Sequence, residues 1–194
     1  MKKLVISFVL IFLFGASRAQ QLSVFAVSLR TANGIPALAY AVLKSDTVLI
    51  SNTLGYRQTG IQTPETMVKV TDFFHLGSNT KAITGFIAGY LVEDKKIQWD
   101  SKFFELFPEW KSVANPVYLN ITLADLLSHR ARIKPYTSGA EFQTLPKFSG
   151  TKSEQRKEFA KYLLSHDPIG ANENPYNYSN AGYSIAALML EKAS

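Results

Sequence analysis

The sequence contains no cysteine among its 194 residues. Disulfide scaffolds, cysteine-ligated zinc sites and iron–sulfur clusters are therefore excluded. Charged residues make up only 19% of the chain, whereas 46% of the residues are hydrophobic, so there is enough apolar surface to build a core and the chain is not disordered. This length favours a single domain.

The N-terminal 19 residues have the pattern of a secretory signal peptide. A basic start precedes an apolar run, Leu4–Phe14, and the small residues Ser17 and Ala19 follow it. We expect cleavage after Ala19, a domain at residues 20–194, and a periplasmic or secreted location. With no cysteine beside the expected cleavage point, a lipid anchor is excluded. An uncleaved membrane anchor is the alternative, although the run is short for a membrane span.

Removal of this segment leaves 18 basic and 15 acidic residues. The excess is small and dispersed, which does not favour nucleic-acid binding. There is no glycine-rich phosphate loop, and His75, His129 and His166 lack metal-ligand spacing, so we expect structural or surface histidines, no metal and no cofactor. The expected partner is a small-molecule or peptide substrate, with no stable membrane span after signal cleavage. The oligomeric state stays open.

Apolar periodicity predicts a hairpin followed by helices. Apolar runs at residues 35–44 and 47–51 surround the polar pair Ser45-Asp46, as is typical of a β-hairpin, whereas residues 22–30 fit a helix or a strand. We expect later helices near 79–91, 123–129, 152–163 and 181–192, with an irregular segment at 130–151. In the first of these helices, one apolar face is expected to be buried: Ala82, Ile83, Phe86, Ile87, Tyr90 and Leu91.

Ser78-Asn79-Thr80-Lys81 is the first motif with a chemical meaning. It stands where a loop meets the start of a helix, so Ser78 and Lys81 share one helical face. A helix N-terminus stabilises a developing oxyanion, and a neutral lysine can accept a serine proton. The alternative is an ordinary helix cap beside a solvated lysine. A second match, Ser149 with Lys152, lies in a polar loop and is interpreted as surface.

Tyr178-Ser179-Asn180 is the second motif. A phenol on a rigid loop can relay a proton, and a nearby amide can orient a substrate carbonyl. The alternative is a turn tyrosine beside a helix cap. A similar pair, Tyr118 with Asn120, lies in an apolar stretch and suits ordinary packing. Because no G-x-S-x-G nucleophile elbow is present, a serine–lysine mechanism remains if the protein is an enzyme.

Taken together, these motifs resemble the serine β-lactamase family, in particular its branch of class C β-lactamases, D-alanyl-D-alanine carboxypeptidases and penicillin-binding-protein-like esterases. The resemblance implies an α+β, β-lactamase/transpeptidase-like fold. It also implies that Ser78 is the acylated nucleophile, Lys81 its base, Tyr178 the proton relay and Asn180 a contact to the substrate amide. The segments that carry it are Phe74–Lys81, Leu91–Glu93, Ile97–Ser101, Leu123–His129 and Tyr178–Tyr183.

The sequence departs from the family pattern at two places, and both affect what we expect of its fold and activity. Arg130-Ala131-Arg132 stands where members usually carry Thr-Ser-Gly or Ser-Gly, and the third motif, Lys/His-Thr/Ser-Gly on a strand, does not occur. We therefore expect an incomplete domain: helices plus an N-terminal hairpin, without the C-terminal strands of the antiparallel sheet. The predicted function is acyl-enzyme hydrolysis of a β-lactam, a D-alanyl peptide or an ester. The alternative is a catalytically inactive, exported ligand-binding or interaction module.

Overall fold

The structure, a computed structural model, describes residues 20–170 and 176–194. The predicted signal peptide at residues 1–19 lies outside the described residues and stays a prediction. Two compact units make up the chain, Met1–His75 and Leu76–Ser194. Within the described residues, no helix has both the length and the apolar character needed to cross a membrane.

A helix and a hairpin form the described part of the first unit. Helix α1 covers residues 20–32, which settles the open choice at residues 22–30. Strands β1 (Ala37–Lys44) and β2 (Thr47–Gly55) then pair antiparallel and confirm the predicted hairpin. Among the described residues they form a two-stranded sheet.

Gly55 ends β2 at a position that only glycine fits. Its φ is +92°, and a Cβ there would lie 2.0 Å from the carbonyl oxygen of Pro36. The chain then turns into a loop that an ion pair closes. The Arg57 guanidinium donates to both carboxylate oxygens of Asp72 at 2.8 and 2.9 Å, and this hydrogen bonding lowers the pKa of Asp72.

The described part of the second unit is helical. Its α-helices, α2 to α7 in chain order, are Thr80–Glu93, Phe103–Leu106, Leu123–Leu127, Gly139–Phe142, Lys152–Ser165 and Asn180–Ala193. Short 3-10 turns lie at Gly77–Asn79, Pro108–Val113 and Pro116–Tyr118. The predicted helices are confirmed, and the segment predicted to be irregular also contains α5.

Helix α7 lies at the centre of this unit and contacts α2, α3, α4 and α6. Ile185 and Met189 are fully buried in it. Burial of a side chain of this size contributes about 1.5–3 kcal/mol. Because several such residues anchor α7, the segment at its N-terminus starts from a fixed position. The buried partners on the neighbouring elements are Leu123, Leu126, Leu163, Leu164, Phe103, Phe104, Phe107 and Trp110.

The expectation of a buried apolar face on α2 is wrong for most of that face. Phe86 is 75% exposed, and Ile83, Ile87 and Tyr90 are also exposed, while Leu91 is buried as expected. The helix packs on α7, and its buried residues are Ala88 and Leu91. A helical period shows which side chains share a face, but it does not show how much of that face a neighbouring element covers.

Helix α4 begins as its sequence predicts and ends earlier. The Thr122 hydroxyl accepts a hydrogen bond from the Asp125 N–H at 3.1 Å, and the Asp125 carboxylate accepts from the Thr122 N–H at 3.0 Å. The helix stops at Leu127, two residues before the predicted end. The reason is His129, whose φ of +61° takes the backbone out of the helix.

Candidate active site

Ser78 lies at the entrance to α2. Gly77 has a φ of +55°, and the 3-10 turn Gly77–Asn79 runs directly into the first residue of the helix. Ser78 is exposed at this point. One turn later, the Lys81 ammonium donates to Ser78 Oγ at 3.4 Å, so the two side chains share a face as predicted.

Tyr178 and Asn180 complete a hydrogen-bonded group with Ser78 and Lys81. The Tyr178 hydroxyl donates to Ser78 Oγ at 2.7 Å, across 100 positions of sequence. The Lys81 ammonium donates to Asn180 Oδ1 at 2.6 Å. The structure therefore brings together all four residues that the sequence singled out. Their chemical roles remain proposals.

Two aromatic rings surround the Lys81 ammonium. It lies 4.7 Å from the centre of the Tyr178 ring and 5.3 Å from that of Tyr183, distances typical of cation–π contacts. Hydrogen bonding to Lys81, and then to Ser78, lowers the pKa of the Tyr178 phenol. Burial and the neighbouring Tyr178 raise the pKa of Tyr183, whose hydroxyl donates to the Leu127 carbonyl at 3.0 Å. Of these two tyrosines, Tyr178 therefore loses its proton more easily than Tyr183.

Residues 129–136 form a support beneath the Tyr178 segment, and main-chain atoms make most of its contacts. The Asn180 N–H donates to the Pro135 carbonyl at 2.9 Å, and Asn180 Nδ2 donates to the Tyr136 carbonyl at 3.2 Å. The Ser179 hydroxyl donates to the Lys134 carbonyl at 3.1 Å. That hydroxyl also caps α7 by accepting from the Gly182 N–H at 2.8 Å.

His129 begins the same support. Its carbonyl accepts from the Asn177 N–H at 2.8 Å, and its Nδ1 accepts from the Ser179 N–H at 3.1 Å. Three non-glycine residues in this short stretch are left-handed: His129, Arg132 and Tyr136, with φ of +61°, +58° and +48°. Such residues cost about 1–3 kcal/mol each and cluster at functional sites.

The sequence model of the family described as Beta-lactamase matches residues 24–194 of this chain. The chain belongs to the β-lactamase family. Among curated proteins, it is similar to one of Dichelobacter nodosus that bears the name probable fimbrial assembly protein FimD, serogroup H1. The two are 31% identical over 132 residues, which are 66% of this chain and 31% of that protein.

A second curated relative and a solved structure extend the comparison. Unguisins hydrolase ungD' of Aspergillus campestris is 29% identical over 143 residues, 67% of this chain and 24% of that protein. The crystal structure of a D-stereospecific amidohydrolase from Streptomyces matches with a TM-score of 0.60 and 22% identity, covering 87% of this chain and 48% of that one. The fold is therefore β-lactamase/transpeptidase-like, as the resemblance implied. The chain spans less than half the length of these relatives.

The two alternative motif matches of this β-lactamase-family chain lie in ordinary structural settings. Ser149 precedes the capping residue Thr151, which starts α6 at Lys152. Tyr118 is fully buried, its hydroxyl donates to the Arg132 carbonyl at 3.4 Å, and burial raises its pKa to about 12. Both agree with the surface and packing interpretations drawn from the sequence.

Two residues beside the site were not singled out for it from the sequence. His129, expected to be a structural or surface histidine, has its ring centre 4.5 Å from that of Tyr178, and Tyr183 lies 5.2 Å from the same imidazole. The sequence could have pointed to both residues, because each is the last residue of a segment that carries the family resemblance. His129 ends Leu123–His129, and Tyr183 ends Tyr178–Tyr183. In the described part of the chain, no group of three or more His, Asp or Glu side chains has the arrangement of a metal site.

Proposed function

We propose that Ser78 is the nucleophile of a serine hydrolase that cleaves amide or ester bonds through an acyl-enzyme. The observation that carries this proposal is that Ser78 Oγ receives hydrogen bonds from both Tyr178 and Lys81, at 2.7 and 3.4 Å. A hydroxyl within reach of two groups that can exchange protons is the arrangement that activated serines use. The position of Ser78 at the start of α2 adds the positive end of the helix dipole.

The resemblance implies that Lys81 is the base and Tyr178 the proton relay. Because the contact from Tyr178 to Ser78 Oγ is the shorter one, at 2.7 against 3.4 Å, this proposal assigns the proton exchange to Tyr178, and Lys81 stabilises the charge that results. The shorter of the two contacts belongs to Tyr178, whose hydrogen bonds to Lys81 and Ser78 lower its pKa. As a phenolate it accepts the Ser78 proton while Oγ forms a bond to the substrate carbonyl carbon. The same proton then passes to the leaving amine or alcohol as the scissile bond breaks. Water hydrolyses the acyl-serine by the reverse use of Tyr178.

The bond attacked is proposed from the relatives. One relative is named a hydrolase and the solved structure is named a D-stereospecific amidohydrolase, and both names fit acyl transfer at a carbonyl. The substrate classes retained from the sequence are a β-lactam, a D-alanyl peptide and an ester. Asn180 is proposed to contact the substrate amide, while its Oδ1 also fixes Lys81.

The test of this proposal is covalent labelling of one serine. The protein, at the full length that its gene encodes, is treated with a fluorescent penicillin and separately with p-nitrophenyl acetate, and the modified peptide is mapped by mass spectrometry. We expect the label on Ser78, lost in Ser78→Ala and retained in the matched control Ser149→Ala. Labelling that survives Ser78→Ala and disappears with Ser149→Ala would reverse the assignment.

An inactive ligand-binding module of the same fold is the second candidate. It is favoured by the absence of any Lys, His or Arg followed by Thr or Ser and then Gly in the sequence. In the family pattern this third motif binds the substrate carboxylate. The labelling experiment separates the two candidates, because a binding module would bind a penicillin reversibly and would leave every serine unmodified.

Export is proposed on the pattern of the first 19 residues. The mature protein then starts at Gln20 and works in the periplasm or outside the cell. An intact mass of the exported protein beginning at Gln20 is the expected result. A mass that retains residues 1–19 contradicts it and favours the uncleaved anchor.

A further inference from the structure

His129 holds both residues that flank Tyr178. The Asn177 N–H donates to the His129 carbonyl at 2.8 Å, and the Ser179 N–H donates to its Nδ1 at 3.1 Å. Between these two contacts, the imidazole lies against the phenol ring, with their centres 4.5 Å apart. One residue therefore determines the backbone on each side of Tyr178 and one face of its ring.

His129 itself has little freedom to move. It follows the end of α4 in a left-handed conformation, with φ of +61°, and its own N–H donates to the Leu126 carbonyl at 3.4 Å. A left-handed histidine persists where the surroundings over-determine it. The hydrogen bonds from the Asn177 and Ser179 N–H groups hold His129 in this conformation.

The hydrogen bond from Ser179 fixes the protonation state of the ring. Because Nδ1 accepts, it carries no proton, and the neutral imidazole holds its proton on Nε2. The titratable groups that face the ring are Lys81 of α2, Tyr176 and Tyr178 of the segment before α7, and Tyr183 of α7. Burial, and then the Lys81 charge, lower the pKa of His129 below its usual 6.5.

We propose that neutral His129 is a positioning residue for Tyr178, and that protonation of its Nδ1 releases Tyr178 from Ser78. A proton on Nδ1 would face the Ser179 N–H, so that two donors meet where a hydrogen bond stood. The new positive charge would also lie near Lys81. This inference rests on the proposed function, in which Tyr178 exchanges a proton with Ser78.

The sign of the pH dependence follows from the lowered pKa. The folded state favours the neutral ring, so the contact is complete above pH 6.5 and is lost as the pH falls through the folded-state pKa. Below that pKa, the fraction of protein with neutral His129 falls tenfold for each pH unit. Acylation of Ser78 should fall with it.

Two substitutions and one control test the proposal in the full-length protein. His129→Asn keeps an acceptor oxygen near the position of Nδ1, tolerates the left-handed backbone and does not titrate. His129→Leu removes the acceptor. His166→Asn is the matched control, because this exposed histidine bonds to Tyr162 and Ser165, away from the Tyr178 segment. The probe is p-nitrophenyl acetate, with the acylation rate of Ser78 measured from pH 4.5 to 8.

A second readout does not depend on acylation. In protein carrying 13C-labelled tyrosine, the ring resonance of Tyr178 is assigned with Tyr178→Phe and followed over the same pH range. In the wild type we expect an acid transition of this resonance at a pKa below 6.5 and the same transition in the acylation rate, separate from the rise that belongs to ionisation of Tyr178 itself. The His129→Asn variant should lack this transition, whatever its rate at pH 8. His129→Leu should acylate about tenfold more slowly at pH 8, because the Ser179 N–H loses its acceptor.

Each outcome decides the question. The proposal is overturned if the Tyr178 resonance does not change when His129 is protonated. It is also overturned if His129→Asn keeps the acid transition of the wild type. Both results hold even if His129→Leu does not fold. If no serine is acylated at any pH, the proposed function fails. In that case the Tyr178 resonance still supports or refutes the positioning role of His129.

Discussion

Tyr178→Phe is the substitution that tests the site most directly. It removes one oxygen atom, which lies 2.7 Å from Ser78 Oγ, and leaves the ring in place against His129 and Lys81. General acid–base catalysis by a positioned side chain contributes about 10²- to 10⁴-fold in rate. At about 1.36 kcal/mol for each factor of ten, the transition state loses about 2.7–5.4 kcal/mol. We expect acylation of Ser78 to slow by that factor.

The same substitution should change stability very little. Tyr178 is 36% exposed, so water can reach the groups that its hydroxyl leaves behind. A typical hydrogen bond contributes a net of about 0.5–1.5 kcal/mol to folding. The free energy of unfolding in urea should therefore fall by about 1 kcal/mol or less. A large loss of rate with a small loss of stability separates a catalytic role from a structural one.

The assay is the burst of p-nitrophenol from p-nitrophenyl acetate, followed in parallel with urea unfolding. Tyr118→Phe is the matched control, because it removes a buried phenol oxygen that donates to the Arg132 carbonyl over a long 3.4 Å and not to Ser78. In the wild type the rate should rise with pH through the Tyr178 pKa, which lies below its usual 10. A Phe variant that retains this limb, or that acylates within about threefold of wild type, would refute the proton-transfer role, since general acid–base catalysis is worth far more.

Three further substitutions test the surroundings of the site. Asn180→Ala removes the acceptor of the Lys81 ammonium, and because hydrogen bonds to charged groups contribute about 1.5–3 kcal/mol, acylation should slow by about 10- to 100-fold in the same burst assay. Arg132→Ala should lower the free energy of unfolding in urea by about 1 kcal/mol more than Arg132→Gly, since glycine adopts the φ of +58° without strain. Phe86→Ser replaces a 75% exposed ring, so it should leave the free energy of unfolding in urea within about 0.5 kcal/mol of wild type.

Local chemistry explains what the sequence predicted well. The hairpin needs only two apolar runs around a polar pair, and the start of α4 needs only Thr122 three residues before Asp125. Ser78 and Lys81 share a face because a helix brings them together. In each case the contacts join residues that are close in sequence, so the pattern contains the information.

Contacts between distant residues explain what the sequence did not predict. Tyr178 meets Ser78 across 100 positions, and only the resemblance to a family suggested that pairing. The support at residues 129–136 works mostly through carbonyl oxygens, which every residue has, so side-chain patterns say little about it. The exposed Phe86 shows the same limit, because a period on one helix carries no information about its neighbours.

The main-chain character of the support also explains how the departure at Arg130-Ala131-Arg132 is accommodated. The family pattern ends this stretch with glycine, and Arg132 has the left-handed φ of +58° that glycine adopts freely. For another residue this conformation costs about 1–2 kcal/mol. The Arg132 guanidinium donates to the carbonyls of Ile169 and Gly170 at 3.0 and 2.7 Å. These charge-assisted hydrogen bonds offset the strain, so arginine can stand at a glycine position while the carbonyls of Lys134, Pro135 and Tyr136 still hold the Tyr178 segment.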